Sequence, residues 1–116
     1  MQLISVLRGK IHGLTVTEAN LRYKGSLTLD MNLIEKAGLI PNEKVHVVNV
    51  NNGERLETYL IEGQRGTGIC CLNGPAARKG LADDEIIVIA YSWMELEAAK
   101  KWEPVIVFPG KGNKLE

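Results

Sequence analysis

Apolar residues in this chain fall in short runs, and many of the runs alternate with polar residues. Gln2–Arg8 is one run, and Gly13–Thr17 alternates Leu14, Thr15, Val16 and Thr17. Ser26–Asp30 alternates in the same way, and Lys44–Val50 carries Val45, Val47, Val48 and Val50. Arg55–Ile61 follows, and Asn52-Gly53 between the two is a strong hairpin signal because both residues tolerate positive φ. Gly68–Leu72, Glu85–Tyr91 and Val105–Phe108 complete the series. Many short strands at regular spacing predict a sandwich or a barrel.

Helix signals are few. Asp30 is placed to cap a helix over Met31–Ala37, closed by Gly38 with Pro41 beyond. Ser92-Trp93-Met94-Glu95 fits a capping box, with Lys100 and Lys101 in the last turn and Pro104 as the stop. Gly63, Gly66 and Gly68 read as a hairpin loop, and the polar tail from Gly110 reads as frayed.

The length of 116 residues fits one domain. The 14 basic and 14 acidic side chains cancel, which argues against nucleic acid or an anionic membrane as partner. No apolar run approaches the roughly 20 residues of a membrane span, and the start lacks a signal-peptide pattern, so a cytoplasmic location is expected. Cys70 and Cys71 are adjacent, which excludes a disulfide framework and a zinc knuckle; one core thiol and one on the opposite face is the plain reading. His12 and His46 are isolated, so no metal is expected. There is no Walker A loop, no dinucleotide fingerprint and no nucleophile elbow. Any enzyme built on this chain must draw its reactive group from the chain itself.

Arg22-Tyr23-Lys24-Gly25-Ser26-Leu27-Thr28-Leu29-Asp30 lies between Lys10-Ile11-His12 upstream and Asn52-Gly53-Glu54-Arg55, Thr58-Tyr59 and Asn73-Gly74-Pro75-Ala76-Ala77-Arg78 downstream. Singly, each motif is a turn, a core residue or a solvated charge. In this order and spacing they resemble the pyruvoyl-dependent aspartate decarboxylase family, from about Val6 to Phe108. The resemblance implies a double-psi β-barrel, a homotetramer with active sites between subunits, and self-cleavage at Gly25-Ser26. The single barrel domain, residues 1–116, would then be cut into pieces 1–25 and 26–116, the second starting with a pyruvoyl group made from Ser26. Cleavage is either spontaneous or assisted by a helper protein.

The chemistry follows from residue types. A serine hydroxyl can attack the preceding carbonyl and turn an amide into an ester. Elimination and loss of ammonia then leave a ketone. Gly25 admits the attack because it has no Cβ. The resemblance gives Thr58 the oxyanion, with Asn73 as the next donor. The mature ketone would form a Schiff base with the amine of L-aspartate and act as electron sink while carbon dioxide leaves, giving β-alanine for pantothenate synthesis. Lys10 and Arg55 match the family's anchors for the two carboxylates, and a guanidinium suits a bidentate contact. Tyr59 matches the proton donor, Gly74-Pro75-Ala76 would line the pocket, and His12 would support it. Two residues depart from the family's usual pattern: Pro75, where many members have alanine, and Val48, where some have Trp. Proline removes one backbone N–H from the pocket. Two other readings compete. One is a small β-barrel binding module that is never cut. The other is the same chemistry on L-glutamate.

Overall fold

The computed structural model describes residues 1–115. Glu116, the last residue of the expected second piece, lies outside the described residues. The strands are β1 (Leu3–Thr15), β2 (Glu18–Asn20), β3 (Ser26–Asp30), β4 (Lys44–Asn49), β5 (Arg55–Gly63), β6 (Cys70–Asn73), β7 (Glu85–Glu95) and β8 (Val105–Val107). Two helices, α1 (Met31–Lys36) and α2 (Leu96–Lys101), and two 3-10 turns, Gly74–Arg78 and Lys111–Asn113, complete the chain.

Hydrogen-bonded neighbours run in the order β2-β6-β3-β5-β4-β7-β1-β8. Parallel pairs (β3 with β5, β2 with β6, β1 with β8) are mixed with antiparallel ones. This mainly β architecture is consistent with the expected double-psi β-barrel. Alternation decides which face each strand buries. Val45, Val47 and Asn49 of β4 point inward, as do Ile86, Val88 and Ala90 of β7. With Ile11, Leu14, Leu27, Leu29, Leu33, Ile34, Leu60 and Leu72, the apolar ones among them form one core. Burying each large aliphatic side chain contributes about 1.5–3 kcal/mol. No helix among the described residues is long and apolar enough to cross a membrane.

Several local expectations hold. Asp30 caps α1 by accepting from Asn32 N–H at 2.9 Å. β4 and β5 pair antiparallel around the Asn52-Gly53 turn, where Gly53 takes the positive φ (75°).

Others are corrected. Most of Gln2–Arg8 and Gly13–Thr17 falls on one continuous strand, β1, paired antiparallel with β7, because bulges at Leu7/Gly9 and His12/Leu14 absorb the intervening glycines. Ser92 caps nothing: Ser92–Glu95 extend β7 against Val6–Leu3, and α2 begins at Leu96 without a side-chain cap. Pairing to β1 satisfies the backbone groups that the capping box would have served. The Gly63–Gly68 segment is not a hairpin loop, since β5 and β6 flank β3 on opposite sides and the segment crosses over between them. The described part of the tail does not fray. Asn113 is buried, accepts from Thr15 N–H at 2.8 Å, and donates to the carbonyls of Thr15 (2.7 Å) and Gly68 (2.8 Å). Strand β2, polar and three residues long, had no sequence signal.

Candidate active site

Ser26 opens β3, opposite Asn73 of β6. It is 4% exposed and its backbone sits at φ +87°. Its Oγ is buried without a hydrogen-bond partner. Each condition is costly. The left-handed region costs an L-residue about 1–2 kcal/mol, and an unsatisfied buried hydroxyl about 1–3 kcal/mol. Such strain persists only where the surroundings impose it.

The surroundings are visible on both sides. Gly74, at φ +58°, packs on the backbone before Ser26; a Cβ there would lie 3.1 Å from both Gly25 N and the Tyr23 carbonyl oxygen. A Cβ on Gly25 would lie 3.6 Å from the Tyr59 phenolic oxygen, so the phenol stands over the Gly25-Ser26 link.

A cleft of about 400 Å³ opens there, bounded by Gly25, Ser26, Leu56, Glu57, Thr58, Tyr59, Pro75, Ala76 and Lys79. Thr58 and Tyr59 point to opposite faces of β5, yet both border it. The register explains this. β3 pairs with β5 from Leu27–Leu60 onward, so the β5 edge at residues 56–59 has no β3 partner. The cleft lies along that free edge and takes in consecutive residues.

Of the expected site residues, the fold gathers Gly25, Ser26, Thr58, Tyr59, Gly74, Pro75 and Ala76 at or beside this cleft. Lys10 and Arg55 are elsewhere. Cross-strand pairing puts Lys10, Ile89, His46 and Glu57 in one row and His12, Ile87, Val48 and Arg55 in the next. These rows form the partly exposed outer face of the sheet, so both cations lie on it and neither borders the Ser26 cleft of the same chain. The His12 ring packs at a tilt on Phe108, with centroids 5.6 Å apart.

Asn73 also faces away from the cleft. Its Nδ2 donates to Thr28 Oγ1 at 2.8 Å and its Oδ1 accepts from Cys71 Sγ at 2.9 Å. It borders a neighbouring cleft with Thr28, Tyr23 and Cys71. Both thiols are buried, and burial pushes both above the ordinary thiol range, with Glu18 adding to the effect at Cys71. Neither is a ready nucleophile. No group of three or more His, Cys, Asp or Glu among the described residues is arranged to hold a metal.

Two charged residues of the cleft escaped the sequence reading. Lys79 follows the Gly74–Arg78 turn and pairs with Glu54 at 2.7 Å. Glu57 pairs with Lys44 at 3.5 Å and with His46 at 3.2 Å. Nothing in the local sequence distinguishes either from a solvated charge.

A model of the family described as aspartate decarboxylase matches residues 1–116. The chain belongs to the aspartate decarboxylase family. Among its relatives, a protein of Parabacteroides distasonis named aspartate 1-decarboxylase is 57% identical over 113 residues, 97% of each chain. One of the same name from Cytophaga hutchinsonii is 55% identical over 112 residues, again 97% of each. A third, from Carboxydothermus hydrogenoformans, is 54% identical over 97% of this chain and 88% of its own. The family's match extends over the segment that carries the strained serine and the cleft beside it.

Proposed function

We propose that this chain is a carboxy-lyase that converts L-aspartate to β-alanine and carbon dioxide for pantothenate synthesis, after cutting its own backbone at Gly25-Ser26. The observation that carries the reading is Ser26: a buried serine at positive φ, its hydroxyl unpartnered, following a glycine and lying on a cleft with a tyrosine and a threonine. Membership of the aspartate decarboxylase family supports the substrate.

Strain and desolvation both raise the energy of the uncut serine. An unpartnered Oγ has no hydrogen bond to give up before it attacks the Gly25 carbonyl. Gly25 offers no Cβ to obstruct it. Thr58, on the free edge of β5, is the hydroxyl that meets the developing oxyanion. Asn73 acts less directly. With its amide held by Thr28 and Cys71, it keeps β6 in register opposite Ser26 and so keeps Gly74 against Gly25.

The pyruvoyl group formed from Ser26 supplies an electrophilic ketone for the substrate amine and draws off electrons as carbon dioxide departs. The residues fit such a group: the position is buried and the cleft has room for a small amino acid. Tyr59, standing over Gly25, delivers the proton that replaces the lost carboxylate. The Gly74–Ala76 backbone forms one wall; Pro75 brings no N–H, so donors on this wall come from its neighbours. The two substrate carboxylates need cations, and Lys10 and Arg55 lie away from the cleft of their own chain. The cleft's own Lys79 is engaged by Glu54, so a second copy that lends its outer sheet face would bring these cations to the site, in keeping with a homotetramer with the site between subunits.

The test is an intact mass spectrum of the denatured protein with a product assay. Two pieces are expected, the second lighter by one ammonia than a chain beginning with Ser26, and β-alanine is released from L-aspartate. A single full-length mass that survives warming with cell extract would refute self-processing. Release of 4-aminobutyrate from L-glutamate in preference to β-alanine would refute the substrate.

A further inference from the structure

Arg55 is held by an imidazole. Its NH1 lies 3.2 Å from His46 Nδ1. The other ring nitrogen, Nε2, lies 3.2 Å from Glu57 Oε1. The β4–β5 register builds this arrangement: His46 stands opposite Glu57, Val48 stands opposite Arg55, and all four share one face. The Tyr91 ring meets the imidazole edge-on, with centroids 5.1 Å apart, and limits its rotation.

The chemistry of the partners settles the tautomer. A guanidinium only donates, so Nδ1 must be bare. A carboxylate only accepts, so Nε2 must carry the hydrogen. Both contacts are satisfied in the neutral ring alone. Arg8 and Arg65, by contrast, are bound by Glu43 and Glu35. Among the described residues no carboxylate lies within 4.0 Å of Arg55. A neutral acceptor holds its geometry and leaves its positive charge uncompensated. The imidazole also engages Glu57, the carboxylate two residues along the same strand face that would otherwise compete for the guanidinium.

We infer that His46 is a positioning residue for the decarboxylation: it fixes the Arg55 guanidinium, charge intact, for a substrate carboxylate at the cleft of a neighbouring copy. This rests on the reading of Arg55 as a substrate anchor. A second proton on His46 would set an N–H against the guanidinium and release it. The charged and titratable groups facing the ring are Arg55 and Glu57 on β5, Lys44 on β4 and Tyr91 on β7, with Lys10 of β1 in the same cross-strand row through Ile89.

The experiment compares steady-state kinetics of the mature enzyme and its His46→Leu, His46→Asn and Arg55→Ala variants. His46→Leu should raise KM for L-aspartate about three- to tenfold, as expected for one partly exposed charge-assisted contact, with kcat changed less than about twofold. His46→Asn, whose amide oxygen can accept in place of Nδ1, should restore most of the loss. An unchanged KM in His46→Leu, with a raised KM in Arg55→Ala, overturns the positioning role and leaves Arg55 as anchor. An unchanged KM in both overturns the anchor and this inference with it. If His46→Leu fails to mature into two pieces, His46→Ala takes its place in the same comparison, and an unchanged KM in it overturns the inference.

Discussion

Replacing Ser26 by alanine or by glycine separates the strain at the proposed cleavage site from the chemistry proposed for it. Both variants lack the hydroxyl, so both should remain one uncut chain and release no β-alanine. They differ at the backbone. Residue 26 sits at φ +87°, which costs an L-residue about 1–2 kcal/mol and glycine almost nothing. Glycine's greater freedom in the unfolded chain takes back part of that gain, and the net advantage of Ser26→Gly over Ser26→Ala is about 1 kcal/mol. For a domain of this size that is about 4 °C in Tm. The assay is thermal unfolding of both proteins at equal concentration, since assembly makes Tm concentration-dependent, after a denaturing gel confirms that each is intact. An alanine variant melting at or above the glycine variant would show that the backbone at residue 26 is unstrained. The fold would then not raise the energy of the uncut serine.

Tyr59→Phe should still mature into two pieces but lose about 10²–10⁴ in kcat, the span of a lost proton donor; a β-alanine assay that finds kcat within twofold would remove Tyr59 from that role. Burial raises the Asp30 carboxyl, but backbone N–H bonds from Gly68, Asn32 and Gly66, with Lys114 nearby, outweigh it and hold it below the ordinary value of 3.8. Its contribution to stability is therefore present above about pH 4 and lost as pH falls through the lowered value. Asp30→Asn should cost about 2 kcal/mol near neutral pH and flatten the acid limb, as read by denaturant unfolding across pH. Asn113→Ala removes three hydrogen bonds from a buried side chain and should cost about 2–3 kcal/mol, measured by the same unfolding; no loss would mean that the tail is not structural.

Where local pattern and tertiary pairing agree, the chain is readable. Val45, Val47 and Asn49 are buried on one face because strand geometry alternates, and the Lys44–Ile61 hairpin follows from Asn52-Gly53. Asp30 caps α1 because the helix donor it meets, the Asn32 N–H, is only two residues away. Failures arise where a distant partner outcompetes a local one. Ser92–Glu95 satisfied a capping rule but found Leu3–Val6, and the Gly63–Gly68 loop looked like a hairpin until β3 was inserted between its strands. Asn113 looked solvated because the backbone groups it ties, at Thr15 and Gly68, are far away in sequence.

The sequence by itself determined a mainly β fold and the family, since Gly25-Ser26, Thr58-Tyr59 and Gly74-Pro75-Ala76 are contiguous motifs whose order can be read without coordinates. Only the tertiary structure decided that Ser26 is strained and its hydroxyl unpartnered, because both depend on Gly74 and β6 closing over Gly25. It alone decided that Thr58 and Tyr59 share a cleft, because that needs the β5 edge left free where β3 begins. It also turned Lys10 and Arg55 onto another face and placed His46 against Arg55. Those placements follow from strand register, which is set by the burial of all the strands together and by no single segment.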